Sequence, residues 1–380
     1  MKQFDYIIAG GGAAGLTLAY LLLAHENSEK TILIIDKDDK STNDRTWCFW
    51  EKDANLFENL VCKQWSKASF YGPTFSQTFA LSPYSYKMIR GKDFYDFMKF
   101  ELSKFNNLTW LKESIIEIDP QGIVKTSTEI YSGNMVFNSI KGLKDFNIPP
   151  KNVQFLQHFK GRFIQTEQPY FDPQAMTYMD FRIDQKGDCR FGYVLPFSPN
   201  KALVEYTIFS EQLLQPEAYD KGLDDYLNNF LKIEDYKVLE EEFGVIPMTD
   251  FPFPAKDGKI INIGISGGFA KPSTGYTFLR SQHILKKMAS NLTKQKDPLA
   301  DLPHQKKRFQ KYDSTLLNVL KNGEHSGAQI FSDLFEKNGA KAVFKFLDEE
   351  TNLAEEMKIM SSTPILAFGK AFIKTFENLF

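Results

Sequence analysis

The feature that most constrains this chain is a glycine pattern near its start. Gly10-x-Gly12-x-x-Gly15 lies between an apolar, β-rich run at residues 4–9 and a stretch of helical composition at residues 13–24. In such a unit the first glycine permits a tight turn and the second lets backbone approach a pyrophosphate. The third lets helix and strand pack closely, and Ala13 and Ala14 open the helix whose N-terminus faces the anion. A second buried run, residues 31–35, ends on Asp36 about 20 residues further on, where an acid binds ribose hydroxyls. Strand, turn, helix, strand and acid together predict a βαβ dinucleotide site. The pattern alone serves FAD and NAD equally, and only one copy is present, so no second resident nicotinamide site is expected.

The 380 residues exceed the ~250–300 that one hydrophobic core usually organises, so more than one domain is expected. A net charge of −2, spread along the chain, makes nucleic acid a poor partner. Cys48, Cys62 and Cys189 are unpatterned and the histidines lack ligand spacing, which suits a reducing compartment and predicts no metal site. Asp5 and the glycines interrupt the apolar stretch after Lys2, so it does not read as a secretion signal. No apolar run approaches the ~18–20 residues needed to span a bilayer. The 35 Phe and 16 Tyr suit an apolar substrate or a Phe-rich core equally well.

Residues 44–84 lose clear periodicity, and residues 86–105 return to helix-like spacing. The runs GRFIQTEQ, AMTYMDF, CRFGYVLPF and ALVEYTIF, bounded by turn residues, read as an antiparallel sheet. A further strand at 260–265 precedes a glycine-rich turn and a helix over 277–293. Glu240, Glu241 and Glu242 read as a solvated charge run, although one of them could reach a site. From residue 305 the chain reads as helices, the last opened by Thr363 and Pro364. Along it Ile365, Phe368, Phe372, Phe376 and Leu379 recur beside Lys370 and Lys374, a pattern open to an interfacial or a core-docked helix, with core docking slightly preferred.

Four strings together resemble the bacterial and plant lycopene β-cyclase family, within the wider group of flavin hydroxylases and geranylgeranyl reductases. They are Asp44-Arg45-Thr46-Trp47-Cys48-Phe49-Trp50, Leu203-Val204-Glu205-Tyr206-Thr207, Glu241-Glu242-Phe243-Gly244-Val245-Ile246-Pro247-Met248 and Lys271-Pro272-Ser273-Thr274-Gly275-Tyr276. The resemblance implies a PHBH-like α/β fold that binds FAD. Its Rossmann-type FAD-binding domain would be discontinuous (1–47, 86–145, 256–292). An antiparallel-sheet substrate domain (48–85, 146–255) and a helical C-terminal region (293–380) would complete it. Arg90, with Phe94 and Asp96, resembles a helix lying alongside the cofactor. Gly264, Gly268, Pro272 and Gly275 resemble the second flavin motif, although Ile265 stands where many hydroxylases carry Asp. The resemblance also implies a substrate pocket containing Trp47, Trp50, Tyr206 and Thr207.

The family's reaction places a proton on the terminal double bond of a linear carotenoid end. The C5–C6 alkene attacks the resulting cation, a neighbouring proton is lost, and nothing is oxidised overall. Such chemistry needs an acid in a dry pocket and negative charge to stabilise the cation, which reduced FAD would supply, with NAD(P)H as transient reductant. The first of the family's two adjacent carboxylates aligns with Glu205, and Tyr206 replaces the second. Period-two alternation puts Glu205 on one face with Leu203, Thr207 and Phe209, and Tyr206 on the other with Val204 and Ile208. A carboxyl among apolar neighbours should hold its proton near neutrality. The implied partners are lycopene, its partly cyclised product and the inner face of the cytoplasmic membrane, touched peripherally. Two rivals remain open at this point: a redox flavoenzyme of the same fold, such as a prenyl reductase or aromatic hydroxylase, and a non-catalytic carotenoid or flavin carrier. The oligomeric state, the ring type and the number of ends cyclised are not encoded in any motif.

Overall fold

A computed structural model describes residues 1–25, 29–303 and 305–377. The chain divides into two compact units, Met1–Trp47, Ile89–Pro149 and Phe251–His304 in the first, and Cys48–Met88, Pro150–Asp250 and Gln305–Phe380 in the second.

The first unit is built on an eight-stranded sheet whose central strand is Lys2–Ala9. That strand pairs in parallel with Ile32–Asp36 on one side and Ile130–Asn138 on the other. Leu108–Lys112 and Ile260–Asn262 extend the parallel ladder outward. Ile7, Ile8, Ala9 and Ile32 through Ile35 are all fully buried, the continuous apolar signature of strands covered on both faces. The helix Ala13–Leu23 packs beside Phe278–Thr293 and Gly91–Leu102. The strand expected at 260–265 ends at Asn262, because Gly264 turns the chain at φ +62° into a short 3-10 turn.

The helix expected over 86–105 is instead a strand, Ser85–Arg90, followed by a helix, Gly91–Leu102. Lys87 concealed this alternation. It is buried, with its Nζ donating to Glu51 at 2.8 Å and Glu58 at 2.6 Å, so a charged residue occupies an interior strand position.

The second unit carries a seven-stranded sheet in the order Lys237–Thr249, Gln154–Gln165, Lys201–Ser210, Cys189–Ser198, Ala175–Asp180, Lys67–Tyr71, Ser76–Ala80. Every pairing is antiparallel except that of Ala175–Asp180 with Lys67–Tyr71. On one face the helix Pro216–Asp225 and the turn Tyr226–Phe230 bury Ile164, Val194, Val204, Tyr206 and Ile208. On the other, the helix Gly327–Leu347, broken at Gly339, sets Phe335 on Phe70 at 4.7 Å and Phe331 parallel to Phe181 at 5.9 Å. Gly327 makes this approach possible, since a Cβ there would stand 2.6 Å from the Cys189 Sγ. The helices Lys307–Asn322 and Ile365–Glu377 close the unit, with Phe368 and Ala371 turned inward against Val319 and Ile330.

Candidate functional site

The first unit contains a cradle of the shape the glycine pattern demands. Gly10 adopts φ +105°, and a Cβ there would strike Ser139 Oγ at 2.3 Å, while one on Gly15 would strike the Gly10 carbonyl oxygen at 2.1 Å. Those two glycines are fixed by protein packing. Gly12 differs: a Cβ would meet nothing within 4 Å, and as N-cap of the helix it offers no side chain to the free N–H groups. Open space in front of uncapped backbone donors fits an anion such as a pyrophosphate. Ala13 and Ala14 form the first helical turn, and Gly264 reaches it, its Cβ position lying 3.0 Å from Ala14.

Asp36 accepts hydrogen bonds from the backbone N–H of Gly11 at 2.6 Å and of Asp38 at 2.8 Å, with Lys40 3.5 Å away. These bonds lock its carboxylate beside the glycine turn. Gly268 and Gly275 both take positive φ, at +71° and +70°, and shape the loop that carries Pro272. Within that loop the Ser273 Oγ is buried without a hydrogen-bond partner, an acceptor or donor left over for a ligand. Arg90 stands at the N-cap of the helix Gly91–Leu102, from which Phe94 packs on Phe278 at 6.1 Å. The residues present therefore suit a dinucleotide.

The second unit holds the acid. Glu205 is 7% exposed on the central strand Lys201–Ser210, opposite Tyr193 on one neighbour and Gly161 on the other. Gly161 is in turn opposite Glu242 on the edge strand Lys237–Thr249. A Cβ on Gly161 would lie 2.9 Å from the Glu205 Cγ, 3.1 Å from Leu203 Cδ1 and 3.2 Å from the Glu242 Cγ. The missing side chain thus leaves the space in which the two carboxyls meet. Burial first, then the charge and hydrogen bond of Glu242, hold the Glu205 carboxyl well above the usual carboxylate range. Cys48 hydrogen-bonds to Tyr193, whose hydroxyl lies 2.7 Å from that of Tyr86, and burial pushes the Cys48 thiol up as well. This face of the sheet favours the protonated form of its carboxylic acid.

The family model described as lycopene cyclase protein matches residues 5–372. The chain belongs to the lycopene cyclase family. It is 24% identical over 285 residues to the lycopene beta-cyclase of Pantoea ananas, covering 72% of this chain and 71% of that protein. To the chloroplastic lycopene beta cyclase of Solanum lycopersicum it is 24% identical over 299 residues, covering 73% and 58%. Among solved structures it resembles a geranylgeranyl bacteriochlorophyll reductase-like protein from Thermoplasma acidophilum, with 14% identity, a TM-score of 0.69 and full coverage of both chains. A flavin-dependent brominase matches at 12% identity and TM-score 0.59, again over both whole chains. The fold is that of the geranylgeranyl-reductase and PHBH-like flavoenzymes.

Within this lycopene cyclase family member, the other residues expected at the substrate pocket take different places. Thr207 shares the Glu205 face, between Phe159 and Phe191 on the neighbouring strands. Tyr206 does not line that face. Its ring is buried beneath the helix Pro216–Asp225 and its hydroxyl accepts from Arg190 at 3.0 Å, because adjacent strand residues point to opposite sides. Trp47 stacks on Phe278 at 5.2 Å and meets Phe94 edge-on in the first unit. Trp50 stacks on Phe344 at 4.7 Å and donates Nε1–H to Asp348 at 2.8 Å in the second. Both tryptophans are engaged in packing.

The glutamate run divides between the two readings left open for it, a solvated face and one member reaching a site. It forms part of a strand, so alternation splits it: Glu242 joins Glu205, while Glu241 turns to the other face and accepts from Arg162 at 2.9 Å. Reading EEEFGVIP with period two would have separated them; the dense charge masked that pattern. Nothing in the sequence pointed to Gly161.

Proposed function

We propose that this chain converts the linear ψ-ends of lycopene into β-ionone rings by proton-initiated isomerisation with no net redox change. The observation that carries the reading is the buried carboxyl of Glu205, held above the usual carboxylate range by burial and by Glu242, in a chain of the lycopene cyclase family. An alkene is a weak base, so its protonation needs an acid kept dry and neutral until substrate arrives. Glu205 Oε donates to the terminal double bond, and Leu203 and Thr207 beside it help to exclude water. The polyene is held on the sheet face that carries them.

FAD is the cofactor in this reading. Gly10, Gly12, Ala13, Ala14 and Gly15 would receive its pyrophosphate, and Asp36 its ribose. Arg90, Gly264, Gly268, Pro272 and Gly275 would receive the flavin end. Bound in reduced form, FAD supplies negative charge that stabilises a carbocation without being consumed, NAD(P)H serving only to reduce it.

Access to a hydrocarbon substrate calls for peripheral contact with the cytoplasmic face of a membrane. No helix among the described residues is long and apolar enough to cross one. The last helix turns Phe368 and Ala371 to the core but leaves Ile365, Leu366 and Ile373 at 66%, 82% and 64% exposure, with Lys370 and Lys374 exposed as well. Exposed apolar residues bordered by lysines suit an anionic lipid surface. Leu379 lies outside the described residues.

Pigment analysis of lycopene-accumulating cells tests the whole reading. Wild-type chain should give cyclised carotenoid, and Glu205→Gln should retain flavin yet lose ~10²–10⁴-fold in rate, the usual scale of general acid catalysis. In vitro, cyclisation should require reduced flavin and consume no stoichiometric NAD(P)H. Stoichiometric consumption with a reduced product would establish the redox alternative, and undiminished cyclisation by Glu205→Gln would remove Glu205 from the mechanism.

A further inference from the structure

Glu242 stands on an edge strand that the cyclase reading does not use, and its side chain hydrogen-bonds to the buried carboxyl of Glu205. The register brings this about. Glu205, Gly161 and Glu242 lie side by side on three adjacent strands, and Gly161 between them lacks the atoms that would separate the two acids. Two carboxylates in hydrogen-bond contact at low dielectric repel strongly, so such a pair is stable with one proton held between them. Among the described residues, Tyr193 faces the pair from the neighbouring strand, hydrogen-bonded to Tyr86 and to Cys48, whose thiol burial pushes up.

We infer that Glu205 and Glu242 act as one carboxylic acid–carboxylate pair, in which Glu205 gives the proton that starts ring closure and Glu242 takes the proton that ends it. The inference rests on the cyclase reading and extends it to a second catalytic residue. The balance is closed. The Glu205 O–H bond breaks as a C–H bond forms at C2 of the terminal C1=C2 alkene, leaving a cation at C1. The C5=C6 π electrons form the C1–C6 bond and move the cation to C5. Glu242 then removes the proton from C6, whose C–H electrons become the new C5=C6 double bond. Glu205 is now the carboxylate and Glu242 the acid, and transfer of one proton across their hydrogen bond restores the starting state. No water, oxidant or reductant enters. While the cation exists, both carboxylates are ionised and face it, which is when their negative charge is of greatest use.

Two measurements on the flavin-loaded full chain test this, one of them independent of turnover. In infrared difference spectra taken against pH, the wild type should show a carboxylic-acid carbonyl band that persists to neutral pH and is abolished by Glu205→Gln. In Glu242→Gln the same band should titrate at least about one pH unit lower, since both the charge and the hydrogen bond that raise the Glu205 pKa are gone. The second measurement is cyclisation of lycopene in vesicles, where Glu242→Gln should lose about 10²-fold or more and Glu242→Asp should recover part of it. An unshifted carbonyl titration in Glu242→Gln, or wild-type turnover by that variant, overturns the pair. If the band shifts as described but the wild type forms no rings, the shared proton stands and the cyclase reading fails.

Discussion

Gly161 and Gly12 serve opposite purposes by lacking a side chain. At Gly161 the space is taken by two acids of the same protein, whereas at Gly12 it is open and faces uncapped helix donors. Gly12 has φ −85° and ψ −173°, extended backbone that other residues tolerate. Gly12→Val should therefore fold with a melting temperature near that of the wild type and yet purify without flavin, because its methyl groups occupy the space the pyrophosphate needs. Flavin absorbance per protein and a thermal melt measure the two halves of this prediction. Full flavin occupancy in the variant would show that the cradle does not hold the pyrophosphate.

Strand alternation decides what the central elements of the second unit can do. The strand Lys201–Ser210 turns Glu205 to one side and Tyr206 to the other, and Gln154–Gln165 places Gly161 on the acid face and His158 on the opposite one. His158 is completely buried there. Its Nε2 lies 2.8 Å from the Ser210 Oγ and its Nδ1 lies 2.6 Å from the Tyr219 hydroxyl, which fastens the helix Pro216–Asp225 to the sheet. Burial pulls its pKa from 6.5 down to about 4, so the folded state holds the neutral ring. The unfolded chain binds the proton first as pH falls. Stability from this group is complete above pH 6.5 and is lost as pH drops through about 4. The loss amounts to on the order of 3 kcal/mol over that window. Denaturant titrations between pH 7 and pH 4 should show this slope in the wild type and a flatter one in His158→Gln. Equal slopes would assign the acid sensitivity to other groups.

At the scale of the whole molecule, the helical tail shares a unit with the acid-bearing sheet and presents its apolar residues outward at one end. Replacing Ile365 and Ile373 together by Glu adds two charges to the exposed face while leaving Phe368 and Ala371 inside. The double variant should keep its flavin and thermal stability but lose most of its co-sedimentation with anionic lipid vesicles, and with it the conversion of vesicle-dissolved lycopene. Co-sedimentation equal to the wild type would place the membrane contact elsewhere on the protein.

Local pattern was enough to read several parts of this protein from its sequence. The turn at Gly10 to Gly15, the buried runs beside it and the strand carrying Glu205 follow from spacing and hydrophobicity, which act between residues near one another in the chain. The matched strings carried the family. The sequence did not disclose which residues become neighbours across strands. Lys87 fell within a stretch read as helix, its partners Glu51 and Glu58 lying far from it in sequence, and the glutamate run stayed open between a solvated face and a site role until register set Glu242 beside Glu205. A charged residue can be interior only when a distant partner or a shared proton compensates its burial. That compensation is settled by strand pairing, a property of the assembled sheet, and for this reason the choice of Glu242 from its run and the glycine that admits it emerged only from the tertiary structure.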